Sequence, residues 1–85
     1  MKEFTHLITC ENGLLGREAT NLIRECSKFS SDIFISCKGN SADVKKIMSV
    51  MALGIKKGDT IEIFIEGVDE EEAFASIEPF VKENL

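Results

Sequence analysis

The sequence predicts an α+β fold: an open-faced sandwich in the order β-α-β-β-α-β-α, with a four-stranded antiparallel sheet and three helices on one face. Three observations predict it. Apolar residues alternate in "KEFTHLITC", "DIFISC" and "TIEIFIE", the period of a half-buried strand. Elsewhere the period switches to that of a helix, at Ala19, Leu22, Ile23 and Cys26 and again from Ala73. Each strand then offers one aliphatic face and each long helix one stripe. Laying the helices on one side of the sheet buries both.

The elements follow in chain order. In "KEFTHLITC", Phe4, His6, Ile8 and Cys10 point one way and Glu3, Thr5, Leu7 and Thr9 the other. From Arg17 an amphipathic helix runs to about Lys28, with Phe29 continuing its stripe and Arg17, Asn21, Arg24 and Lys28 on the wet side. "DIFISC" turns Ile33, Ile35 and Cys37 to one face, "KGN" is a tight turn, and Ser41–Val44 returns as the second arm of a hairpin. A short helix spans about Ile47 to Leu53, with Gly54 as its C-cap and Lys56 and Lys57 at its negative end. "TIEIFIE" points Ile61, Ile63 and Ile65 inward until Gly67 ends it. Asp69 caps a last helix, supported by Glu72 three residues on and by Glu70 and Glu71 at its positive end. Ala73, Ile77 and Phe80 lead its apolar face, and Pro79 predicts a kink or a weakened last turn.

Composition narrows the function classes. Residues 1–85 have room for one small domain, which buries only roughly 60–65% of its unfolded surface. A net charge of −5 speaks against nucleic acid or an anionic membrane as the main partner. No apolar run approaches membrane-spanning length and no signal-peptide pattern opens the chain, so a soluble, cytoplasmic protein is expected. Cys10, Cys26 and Cys37 stand far apart, an odd number without CxxC spacing. That is neither a disulfide framework nor a zinc site, and Cys26 and Cys37 read as small core hydrophobes. No metal or cofactor is expected.

Two segments carry a resemblance. "GLLGREAT" and "KKIMSVMALGI" resemble the active-site and regulatory motifs of the HPr family, the histidine phosphocarriers of the bacterial sugar phosphotransferase system. The resemblance covers essentially the whole chain, and its second motif is the more specific. It implies an HPr-like fold, protein partners and an active-site loop formed by Gly13, Leu14, Leu15, Gly16 and Arg17. It also places Leu15 where the family has its phosphoacceptor histidine, and an alkyl side chain accepts no phosphoryl group. Lys46 stands where the family has its regulatory serine. It has no hydroxyl, and its charge is opposite to that of a phosphoserine. Glu18 follows Arg17 where the family has Pro. As a first-turn carboxylate it suits the helix dipole, repels phosphate and can neutralise Arg17, with Glu11 adding to the effect.

The expected function is therefore a non-catalytic, protein-binding or regulatory member of the family. The resemblance implies a docking surface of Leu14, Leu15, Arg17, Thr20, Arg24, Ile47, Met48 and Met51, with some of the last three packing inward. Its expected partners are phosphotransferase-system components or a regulator. Leu7, Phe34 and Phe64 fall on the uncovered sheet face, flanked by Glu3, Glu62 and Glu66. In the family's strand order they form one row, which reads as an interface and a possible route to a homo-oligomer. Two alternatives stand beside this reading: a phosphocarrier using His6, which alternation places at the edge of the core, and a thiol or redox role for Cys10 beside the loop.

Overall fold

The computed structural model describes residues 1–85. Its elements are β1 (Lys2–Leu7), α1 (Arg17–Cys26), β2 (Asp32–Cys37), β3 (Asn40–Asp43), α2 (Ile47–Ala52), β4 (Thr60–Glu66) and α3 (Glu70–Asn84). The predicted order is the observed one. The strands form a single antiparallel sheet in the order β1-β4-β2-β3.

Alternation set the buried face correctly. Ile33 and Ile35 of β2 and Ile61, Ile63 and Ile65 of β4 are all buried, facing Ala19, Leu22 and Cys26 of α1 and Ala73, Ile77 and Val81 of α3. Each isoleucine so removed from water contributes roughly 1.5–3 kcal/mol before the cost of ordering the chain. No helix is long and apolar enough to cross a membrane. The β2–β3 hairpin turns through Lys38 (φ 54°) and Gly39 (φ 83°), the left-handed pair that matches the twist of the flanking strands.

Several details differ from the sequence reading. Helix α1 ends at Cys26, two residues before Lys28, where the amides of Lys28 and Phe29 turn back to Glu25 and Cys26. Pro79 neither breaks α3 nor loosens its end: the helix runs to Asn84, and the Leu85 amide reaches the Val81 carbonyl at 2.9 Å. Pro79 lies on the exposed side, where its ring meets water rather than the core. Val81 and Leu85 are buried, while Phe80 is only half-buried at the rim.

Asp69 occupies the N-cap position of α3 without capping it. Its carboxylate instead receives the amides of Ser30 and Ser31, at 2.8 and 2.9 Å, and both their hydroxyls. Glu70, rather than Glu72, reaches back to the Gly67 amide at 3.1 Å. Lys57 pairs with Glu11 at 3.1 Å instead of facing the end of α2.

Lys45 had no predicted role. Its ammonium donates to the carbonyls of Phe29 and Ser31, at 2.8 and 3.0 Å, pinning the α1–β2 connection to the start of α2. A lysine ahead of a helix gives no sequence signal for such a bridge, because its acceptors are backbone atoms far away in the chain.

Candidate functional site

The loop from Glu11 to Gly16 joins β1 to α1, and two glycines make its path possible. Gly13 has φ 65° and lies against the backbone of Ile55 and Lys56. A Cβ there would overlap the Ile55 carbonyl and stand 2.8 Å from the Lys56 Cα. The next amide, of Leu14, donates to that carbonyl at 3.1 Å, so the loop is stitched to the segment following α2. Gly16 (φ 51°) then turns the chain into α1, and its carbonyl accepts both the amide and the hydroxyl of Thr20, at 3.0 Å each.

This geometry separates the two leucines. Leu14 swings into the core and is 0% exposed. Leu15 stays at the tip, 46% exposed. The expectation that Leu14 lines a docking surface is therefore corrected, because the loop hydrogen bond to Ile55 aims its side chain inward. Leu15, Arg17, Thr20 and Arg24 are exposed.

At the start of α1 no side chain caps the helix, and Gly16 has none to offer. The Glu18 amide turns back to the Leu15 carbonyl at 3.1 Å, while the amides of Arg17 and Ala19 have no backbone acceptor. Arg17 is in no ion pair: Glu18 does not reach it, and Glu11 is held by Lys57. The expected neutralisation of Arg17 does not occur, since consecutive residues on a helix point in different directions. Arg17 overlooks a hollow of about 270 Å³ shared with Glu18, Asn21, Phe80, Asn84 and Leu85. The floor of this corner is fixed by the Leu85 carbonyl, which accepts the amides of Thr9 at 2.6 Å and Cys10 at 3.1 Å.

Helix α2 packs beside α1 and anchors itself through Val50, which is fully buried. Ile47 and Met51 are partly exposed and Met48 is 78% exposed, so none of the three serves the core as expected. One inward residue suffices for a helix of six. Lys46 sits exposed at the N-cap position and makes no capping bond. Leu15 and the outer face of α2 thus give the helical side its exposed large apolar residues.

The other named residues stand apart. His6 is half-buried opposite Ile61, and its Nε2 is buried without a hydrogen-bond partner. The Cys10 thiol, half-buried, donates to the Gly13 carbonyl at 3.3 Å. Burial pushes the Cys26 thiol up to about 12 and raises that of Cys37. No group of His, Cys, Asp or Glu side chains is arranged to hold a metal ion.

On the uncovered sheet face, Phe34 and Phe64 are directly opposite each other. Leu7 does not join them. It pairs with Thr60, whereas the β1 partner of Phe64 is Glu3. Alternation fixes which face a side chain takes but not the register along the strand, so the predicted row of three is in fact a pair.

Comparisons with known proteins agree with this geometry. A family model described as the phosphorylation site of the HPr component of the phosphotransferase system matches residues 2–83. HPr-C-His from Thermoanaerobacter tengcongensis is similar, with 36% identity and a TM-score of 0.90 over 95% of this chain and 91% of that one. A Mycoplasma histidine-containing phosphocarrier protein shows 40% identity and a TM-score of 0.87 over 92% and 89% of the two chains. Crh, the catabolite repression protein of Bacillus subtilis, described as a swapped, intertwined dimer, shows 29% identity and a TM-score of 0.76 over 92% and 90%.

Proposed function

The chain belongs to the HPr family of the phosphotransferase system, and from that premise we propose that it binds partner proteins in a regulatory role without carrying phosphate. The observation that carries this reading is Leu15. It holds the phosphoacceptor position at the tip of the loop and presents an exposed hydrocarbon. The rest of the corner is of the kind that holds an anion: free amides at the start of α1 beside an unpaired Arg17. A phosphate placed there is attracted but finds no atom to bond with. Lys46, at the regulatory serine position, removes the second route of phosphorylation.

Recognition by proteins needs no nucleophile. Leu15, Ile47, Met48 and Met51 offer apolar contact, with Arg17, Thr20 and Arg24 beside them. Methionine side chains adapt to more than one partner shape. The fold is shared with Crh, a protein named for catabolite repression, as well as with phosphocarriers, so a regulatory role is within the family's range. His6 is a poor substitute acceptor, because its Nε2 is buried in the sheet–helix layer rather than presented to a donor protein.

The test is phosphoryl transfer from phosphoenolpyruvate through the upstream enzyme of the system. No label is expected on the wild-type chain. A stable phosphohistidine at His6, formed as fast as on an active carrier, overturns the proposal.

A further inference from the structure

The sheet face turned away from the helices is ordered by register into rows. One row crosses all four strands as Asp43, Phe34, Phe64 and Glu3. Asp32 pairs with Glu66 on one side of that row, and Glu62 lies in the next row on the other. Every charged strand residue on this face is thus acidic. None of these five carboxylates is in an ion pair. The nearby Met1 ammonium is held by Glu70 at 2.9 Å, and Lys38 at the end of the hairpin by Asp59 at 3.3 Å. Between the carboxylates, Phe34 (44% exposed) and Phe64 form one wall of a groove of about 370 Å³, with Ser36 and Ser41 beside them and Met1 and Glu66 completing its lining.

We propose that this face docks a basic segment of a partner protein. An aliphatic or aromatic side chain enters the groove at Phe34 and Phe64, and lysine or arginine side chains lie over the carboxylates. The aromatic pair supplies the apolar area that a solvated sheet face ordinarily lacks. These carboxylates, none in an ion pair although Asp43 accepts the Lys45 amide and the Met1 ammonium lies near Glu66, supply attraction and steering for a cation, and the ring faces add to it. The same charges select against other occupants. A second copy laid face to face sets carboxylates against carboxylates, and a nucleic acid is repelled outright. The surface lies across the sheet from α1 and α2, so it is independent of the function proposed above and fails or stands separately from it.

The test titrates the full chain with a synthetic amphipathic Leu/Lys helical peptide and with its Leu/Glu counterpart, followed by backbone amide NMR. The Leu/Lys peptide is expected to shift the amides around Phe34, Ser36, Glu62 and Phe64, and the Leu/Glu peptide is not. Glu62→Lys/Glu66→Lys, exposed on a strand whose other face builds the core, is expected to weaken binding about tenfold while leaving the fold intact. Raising the ionic strength from about 0.05 to about 0.3 M is expected to weaken it as well. Absence of binding, shifts centred on α1 and α2, or equal affinity after charge reversal each overturns the proposal. So does sedimentation showing a dimer that Phe34→Ser dissolves and the peptide cannot compete with.

Discussion

Asp69 and Ser31 are joined twice: the carboxylate accepts the Ser31 amide at 2.9 Å and the Ser31 hydroxyl through the same oxygen. With Ser30 on the other oxygen, these bonds hold the Asp69 carboxyl at about 2, below its ordinary 3.8. A carboxyl group depressed in the folded state stabilises fully above its unfolded pKa and loses that contribution as pH falls toward the folded value. Urea midpoints for the wild type are therefore expected to drop between about pH 4 and pH 2. Asp69→Asn is expected to start lower at neutral pH and to lose less on acidification. Parallel curves for the two proteins would remove Asp69 as the source.

Gly13 is irreplaceable for two reasons that add. Its φ of 65° is costly for any side chain, and the Ile55 and Lys56 backbone fills the space a Cβ needs. Gly13→Ala is expected to cost about 2–4 kcal/mol by chemical denaturation. Gly16→Ala has open space around its Cβ, but φ 51° with ψ −116° lies outside the left-handed region open to other residues, so it is expected to cost about 1–3 kcal/mol from backbone strain alone. A larger cost at Gly16 than at Gly13 would show that backbone strain outweighs the close approach of Ile55.

The two adjacent leucines should separate stability from recognition. Leu14→Ala empties a core position and is expected to cost about 2–5 kcal/mol. Leu15→Ala is expected to change stability by less than about 0.5 kcal/mol while weakening capture of any partner that binds α1 and α2. A reversed order in the denaturation midpoints would contradict the burial of Leu14.

On the proposed function, placing a nucleophile at Leu15 is the sharpest gain-of-function experiment. Leu15→His places an imidazole beside the free α1 amides and the unpaired Arg17. It is expected to make the chain accept an acid-labile label from phosphoenolpyruvate through the upstream enzyme. If Leu15→His takes no label while an authentic carrier does in the same tube, the corner lacks more than the histidine.

Thiol reactivity follows burial. Native alkylation is expected to modify Cys10 first, and Cys26, held up at about 12 in the core, only on unfolding. Rapid native labelling at Cys26 would mean that α1 opens readily from the sheet.

Much of this was legible because it is periodic. The isoleucines of β2 and β4 alternate, and a one-residue error would have turned all of them to water. The Gly13 and Gly16 signals located the loop. Alternation carries no information about register, so it puts Leu7 in one row with Phe34 and Phe64, whereas the neighbour of Leu7 is Thr60. It also could not tell Leu14 from Leu15, since a loop has no period and one hydrogen bond to Ile55 decides which leucine turns in. The bridges of Lys45 and Asp69 were hidden for another reason. Both end on backbone or serine groups brought near only by the finished fold.

The position of β4 between β1 and β2 sets a schedule for synthesis. Lys2 pairs with Ile65, so β1 waits until β4 has left the ribosome before it meets its partner. Until then only the β2–β3 hairpin can close, and an isolated hairpin is marginal in water. The nascent chain is thus expected to stay open to proteases until β4 emerges and then to fold in one late step, slowed by closure of so long a loop. Arrested chains that became protease-resistant before β4 emerged would show an earlier nucleus.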